Sequence, residues 1–136
     1  MGQALMKDCF ECAPLPPKGA FTITAGIEHD YVTRPDDFDC YTPSQVEAFE
    51  NDEWQFVTLC IEASIEGIVL GNAYLGAIEY GDYLITDEDD NKLKRVDITL
   101  EKIISPEYGY IEDLTSECLF DAEATLERIQ KKAKGE

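Results

Sequence analysis

The apolar residues of this chain first recur at every second position. Residues 20–27 alternate polar or small side chains with four apolar ones, namely Phe21, Ile23, Ala25 and Ile27. Because successive side chains of a strand point to opposite faces of a sheet, this period predicts a strand with one buried face. Residues 1–19 instead predict a flexible arm, since regular structure is interrupted by Pro14, Pro16, Pro17 and Gly19. We therefore expect a single folded domain over residues 20–136.

The most apolar part of the sequence is a pair of runs, residues 54–65 and 68–78, joined by Glu66-Gly67. Both runs are rich in β-branched and aromatic residues, and a two-residue link containing glycine predicts a tight hairpin. In this register, the face expected to pack the core carries Val57, Leu59, Ile61, Ala63, Ile65, Ile68, Leu70 and Tyr74. The opposite face is expected to be half exposed and carries Trp54, Phe56, Thr58, Glu62, Ser64 and Leu75.

Residues 82–104 fit two patterns. One is the helical spacing of Leu93, Val96, Leu100 and Ile103. The other is the strand-like alternation of Val96, Ile98 and Leu100, which follows a turn-like segment at Asp87–Asn91. The β-branched residues favour a second hairpin over a helix, but the sequence leaves both structures open.

Two helices are predicted around these strands. The first begins at Thr42, which can cap the helix, with Pro43 at the first helical position and Gln45 completing a capping box. The second spans about residues 106–132, with an apolar stripe at three- or four-residue spacing formed by Ile111, Leu114, Cys118, Ala122, Leu126 and Ile129. The whole pattern predicts an α+β fold, in which a small antiparallel sheet of three to five strands packs against a long C-terminal helix and a short helix.

The composition adds a strong negative charge to this picture. The 136 residues include 29 Asp and Glu against 11 Lys and Arg, a formal net charge of −18. Between Gly19 and Asp90 the only base is Arg34, against seventeen acids. Such a charge repels nucleic acid and anionic membranes and attracts basic surfaces at long range, although acidic residues also simply keep a protein soluble.

Two acidic groups are the candidates for contact with a basic partner. The first is dense and comprises Asp36, Asp37, Asp39, Glu47, Glu50, Asp52 and Glu53. The second lies on the predicted long helix and comprises Glu112, Asp113, Glu117 and Asp121. We expect both groups to bind the basic surface of a nucleic-acid-binding protein, with no direct contact to nucleic acid or membrane.

The residues that catalysis needs are not arranged for it. His29 is the only histidine and no nucleophile stands beside it, so the sequence predicts no catalytic triad and no enzyme. Cys9 and Cys12 form a CxxC pair, but zinc would need two more ligands, for which His29 and Cys40 are the nearby candidates. We expect free thiols in a reducing compartment, with no metal and no cofactor.

The segment Glu50–Val57, with the sequence E-N-D-E-W-Q-F-V, is similar to a segment found in other proteins. Together with Leu70-Gly71 and residues 75–79 (L-G-A-I-E), it resembles a group of small acidic uncharacterised proteins of tailed bacteriophages. Those proteins are similar in carrying an N-D-E-W-x-F-V entry to a strand, a later L-W-G-I-E stretch and an acidic C-terminal helix. Here Gly76 and Ala77 replace the tryptophan and glycine of the second motif. The resemblance implies a phage setting and brings no activity or site residues.

These observations lead to one functional hypothesis and two alternatives. We expect a phage-encoded, non-enzymatic inhibitor of a nucleic-acid-binding host defence protein, of the anti-CRISPR or antirestriction type, located in the bacterial host cytoplasm. Its acidic surface would mimic nucleic acid. One alternative is a phage structural or assembly protein whose acidity is incidental. The other is a small zinc-binding module that uses Cys9 and Cys12.

Overall fold

Five strands form one antiparallel sheet whose order follows the chain. The computed structural model describes Met6 and residues 8–86 and 92–135. The strands, each paired with the next, are β1 (Glu11–Lys18), β2 (Phe21–His29), β3 (Trp54–Ile65), β4 (Ile68–Thr86) and β5 (Leu93–Ile98). The helices are α1 (Pro43–Glu50), α2 (Leu100–Ile103) and α3 (Tyr110–Ala133), with 3-10 turns at Pro35–Asp37 and Pro106–Tyr108. The predicted α+β fold is therefore confirmed.

Local sequence signals predicted the first hairpin and α1. Ile65 pairs with Ile68 across the predicted turn, and its two residues have φ angles of 50° and 81°, the left-handed values that a tight hairpin turn requires. β4 continues to Thr86 and pairs with β5, so this region forms a second hairpin rather than a long helix. The turn predicted at 87–91 lies outside the described residues. Thr42 and Gln45 form the predicted capping box of α1.

Residues 11–18 form a strand where the sequence predicted a flexible arm. β1 pairs with β2 from Glu11 opposite Ile27 to Lys18 opposite Phe21, with a register shift after Leu15. β1 is an edge strand, and the edge of a sheet is where a residue without an N–H group is tolerated. The prolines therefore did not prevent pairing, and the prediction of irregular structure is wrong for this segment.

The main core lies between one face of the sheet and α3. All four apolar residues predicted on β2 are buried, and they join alternate residues of β3 in one cluster with the helix. Of the predicted helical stripe, Leu114, Cys118 and Ala122 are buried. The helix begins at Tyr110, later than predicted, because Pro106–Tyr108 forms a 3-10 turn and Gly109 follows it in a left-handed conformation.

Irregularities in β4 change which of its side chains reach this core. Ser64 pairs with Val69 and Ala63 with Gly71, so one extra residue of β4 lies between the two pairs. Such a bulge reverses the alternation of side chains. The core position predicted for Tyr74 is consequently occupied by Ala73, and the ring of Tyr74 is exposed. Ile68 comes before the bulge and pairs with Ile65 next to the hairpin turn, where its side chain is exposed. The prediction is wrong for these two residues.

A second apolar cluster covers the other face of the sheet at one end. Trp54 and Phe56 were expected to be half exposed, but both are buried together with Ala48 of α1. Tyr41 and Phe49 pack against the same cluster, and the indole N–H of Trp54 donates to the Gln45 carbonyl at 2.9 Å. The short helix is therefore fixed to the sheet through aromatic side chains, on the face opposite to α3.

Candidate functional site

The first acidic group surrounds α1 and the segments on either side of it. We call its seven residues the acidic edge: Asp36, Asp37, Asp39, Glu47, Glu50, Asp52 and Glu53. α1 ends in a tight turn in which Asp52 has a φ of 62°, a conformation that aspartate tolerates better than most residues. Its amide donates to the Phe49 carbonyl. The turn thus places the acids that follow α1 beside those on the helix.

Two arginines contact the acidic edge and neutralise part of it. The Arg34 guanidinium pairs with Glu50 at 2.9 Å and Asp36 at 3.4 Å, and it lies 5.4 Å from the centre of the Phe49 ring. Arg95 of β5 pairs with Glu53 at 2.6 Å. Among the described residues, no ion pair is formed by Asp37, Asp39, Glu47 or Asp52. The edge therefore keeps an excess of carboxylates after its arginines are paired.

The second acidic group lies on the other side of the molecule. Glu112, Asp113, Glu117 and Asp121 are exposed on α3, which packs against the alternate β3 residues that point away from α1. One of them also has a structural contact, because the Asp121 carboxylate accepts from the Asn72 amide at 3.2 Å. The structure joins Asp36 and Glu50 through Arg34 and places Asp52 and Glu53 in the turn after α1. It puts α3, with the second group, on the opposite face of the sheet.

An aromatic cleft lies next to the acidic edge. Its volume is about 340 Å³, and its lining includes Tyr31, Arg34, Phe49 and Asp52. At its rim the rings of Phe10, His29 and Tyr31 are stacked, with centroid distances of 4.4 and 5.3 Å. Tyr31 is 85% exposed. Sequence reasoning did not find this stack, because it depends on the pairing of β1 with β2.

The loop that carries Tyr31 is held by the carboxylate of Asp30. Its Oδ1 accepts from the amides of Val32 and Thr33, each at 3.1 Å. Its Oδ2 accepts from the Thr33 hydroxyl at 2.6 Å and from the Ala77 amide at 3.1 Å. Burial acts to raise the pKa of Asp30, but these hydrogen bonds outweigh it and the pKa is lowered. The ionised carboxylate therefore links the loop to β4.

We expect the Asp30→Asn variant to lose stability at neutral pH. An amide has one acceptor oxygen, so in either orientation its NH₂ group faces one pair of donors, at a cost of about 1–3 kcal/mol. A lowered pKa means that this contribution is present above the ordinary carboxyl pKa and is lost as the pH falls through the folded value. Urea unfolding at several pH values should show a difference that shrinks in acid. A difference that is constant with pH would contradict the role of the carboxylate.

The cysteines are grouped differently from what the sequence suggested. Of the proposed partners for Cys9 and Cys12, Cys40 is exposed in the loop before α1, and His29 bonds to the Gln55 side chain and lies in the aromatic stack. The residues beside Cys9 are instead Cys60 of β3 and Glu28 of β2. Burial, followed by the neighbouring Cys12 thiol, raises the pKa of Cys9 to about 11.

Comparisons with known proteins do not assign this chain to a group. No family model, no curated protein and no solved structure matches it. Within the described residues, none of the helices has both the length and the apolar character needed to cross a membrane.

Proposed function

We propose that this protein is a non-enzymatic binding protein whose acidic edge occupies the basic surface of a nucleic-acid-binding protein. The observation that carries the proposal is that seven carboxylates lie on α1 and on the segments next to it, in a stretch of sequence whose only base is Arg34. Carboxylates held on a folded scaffold can pair with the Arg and Lys side chains that otherwise hold phosphates. The scaffold in this case is α1, fixed by its aromatic cluster.

The neighbouring cleft supports the same proposal. Binding energy in protein interfaces is concentrated in a few residues, often tyrosine, tryptophan or arginine. Tyr31 projects from the rim of the cleft with 85% of its surface exposed, while Asp30 holds its loop in place. An exposed, pre-positioned aromatic ring beside a charged edge gives such an interface an anchor as well as long-range attraction.

The specific setting rests on the resemblance carried by Glu50–Val57. It leads us to propose a phage protein acting in the bacterial cytoplasm, where the basic partner is a host defence protein such as a CRISPR effector or a restriction enzyme. The partner would be inhibited by competition, since its cationic channel cannot hold carboxylates and phosphates at the same time. Association is expected to be fast and to weaken with salt.

The acidic edge can be tested by reversing charges that are not needed by the fold. Asp39 and Glu47 are exposed and form no ion pair among the described residues, so a variant with Asp39→Lys and Glu47→Lys should fold normally. Proteins captured by the immobilised wild type from a nuclease-treated bacterial lysate would be purified and used as the probe. We expect the association rate of the variant at low salt to fall by about tenfold.

A matched variant separates the edge from total charge. Glu117→Lys with Glu123→Lys makes the same change in net charge on α3, on the opposite side of the sheet. It should alter the rate by less than about twofold if the acidic edge alone, and not the second acidic group, makes the contact. Equal losses in both variants would show that only net charge matters. Captured proteins that bind no nucleic acid, or stable incorporation of the chain into phage particles, would contradict the proposal.

A further inference from the structure

Three cysteines meet on one face of the sheet because of the strand register. Cys12 of β1 and Cys60 of β3 each pair with Gly26 of β2, one from either side. Residues that are paired across antiparallel strands point to the same face. Met6 and Cys9 lie above the glycine, since a Cβ atom added to Gly26 would be 2.6 Å from the Met6 Sδ and 2.8 Å from the Cys9 Sγ. The missing side chain of Gly26 therefore leaves the space in which Cys9 sits between the two strand cysteines.

A carboxylate completes this group. Glu28 lies two residues beyond Gly26 on β2 and so points to the same face. Its oxygen and the Sγ atoms of Cys9 and Cys60 all lie within 4.8 Å of one another. In a tetrahedral zinc site with Zn–S bonds of about 2.3 Å, neighbouring sulfur ligands are about 3.8 Å apart. Small rotations of side chains would bring these atoms to ligand distances.

A second carboxylate nearby lacks a partner. Glu62 is two residues beyond Cys60 on β3, points to the same face and is only 2% exposed. Among the described residues its Oε2 has no hydrogen-bond donor. A buried carboxylate without a partner is unfavourable, and a cation bound among the adjacent thiols would offset that cost.

We propose that Cys9, Cys60 and Glu28 bind one zinc ion, with Cys12, which neighbours Cys9 but lies outside this close group, turning in as the fourth ligand. Glu62 is a neighbouring carboxylate that favours the cation. Thiolates and a carboxylate are ligands that zinc accepts, whereas magnesium and calcium prefer oxygen ligands alone. The three thiols lose their protons to solvent when the ion binds. The site would join the segment before β1 to the middle of the sheet, and it is independent of the acidic edge.

The metal content of the full chain tests this proposal directly. Protein would be purified from zinc-supplemented cells under reducing conditions without chelator, and zinc would be measured by mass spectrometry. We expect about one zinc per chain in the wild type and less than about one tenth in Cys60→Ser, since loss of one thiolate removes a ligand. Cys40→Ser is the matched control and should keep its zinc, because Cys40 is exposed in a loop outside the group.

A second measurement uses the wild type alone and does not depend on the folding of a variant. Titration of the reduced, metal-free protein with Co²⁺ should give thiolate-to-cobalt charge-transfer absorption that zinc then removes. Less than about one tenth of an equivalent of zinc together with no such absorption would overturn the proposal. So would equal zinc loss from Cys40→Ser and Cys60→Ser, or a disulfide among these cysteines in freshly purified protein.

Discussion

Replacing Gly71 by alanine is expected to destabilise the protein by about 3 kcal/mol, because α3 packs directly on this glycine. A Cβ atom at this position would lie 2.5 Å from the Ala122 nitrogen and 2.6 Å from the Cys118 carbonyl oxygen. Both atoms belong to the helix backbone, so no side-chain rotation can relieve the overlap and the helix must move away from the sheet. Thermal unfolding should show a melting temperature lower by roughly 10 °C.

Gly76→Ala is the matched control, since it makes the same chemical change in the same strand. There the added Cβ would meet the Asp30 carboxylate at 3.4 Å and the Thr58 hydroxyl at 3.5 Å, which are ordinary contact distances. We expect the free energy of unfolding to change by less than about 1 kcal/mol. Similar losses at both positions would mean that the close approach of α3 to β4 does not determine the stability of the sheet.

Phe56→Ala is expected to lower the free energy of unfolding by about 3–5 kcal/mol, the usual range for a buried phenylalanine. Its side chain is 1% exposed and its ring contacts those of Tyr41, Phe49 and Trp54, at centroid distances of 5.9, 5.9 and 5.1 Å. The cavity would lie beneath α1, so the variant should also weaken the packing that fixes α1, and with it the acidic edge, to the sheet. Urea unfolding measures the first effect, and hydrogen exchange of the α1 amides measures the second.

Phe120→Ala serves as the control because Phe120 is 79% exposed on α3. Its removal should change the stability by less than about 0.5 kcal/mol. If the α1 amides exchange no faster in Phe56→Ala than in this control, the aromatic cluster does not hold the helix. The acidic edge would then need another explanation for its position.

The parts of the fold that sequence analysis predicted are those set by neighbouring residues. The capping box is formed by Thr42 and Gln45, which are three positions apart. The turn at Glu66-Gly67 is formed by two adjacent residues. The β2 alternation is equally local. These signals needed no knowledge of the rest of the chain, and the structure has each of them where it was predicted.

The errors come from features that depend on distant parts of the chain. Proline argues against a central strand but not against an edge strand, and the sequence does not tell which of the two β1 is. The bulge near Leu70 reverses the faces of the β4 residues that follow it, up to a second register shift before Ile78, so Tyr74 was placed on the wrong side. Trp54 and Phe56 are buried only because α1 folds back over them.

The candidate sites show the same division. The acids of the first group are close in sequence, so their gathering around α1 follows from short connections. The acids of α3 lie on the side of the sheet opposite to α1 because the two helices cover different faces of β3. Short connections do not determine which face a helix covers. The partners of Cys9 were missed for a similar reason: Cys60 and Glu28 approach it through strand register, whereas the sequence suggested the nearer Cys40.

The proline-containing strand β1 also bears on how copies of this protein behave at high concentration. A sheet that does not close exposes unpaired backbone groups along its outermost strands, and these can recruit a strand from another molecule. β1 forms one such border and carries Pro14, Pro16 and Pro17, while β5 forms the other and carries Lys94 and Arg95. Proline and charged side chains both oppose the addition of a further strand. We therefore expect neither outermost strand of the sheet to promote aggregation by strand addition.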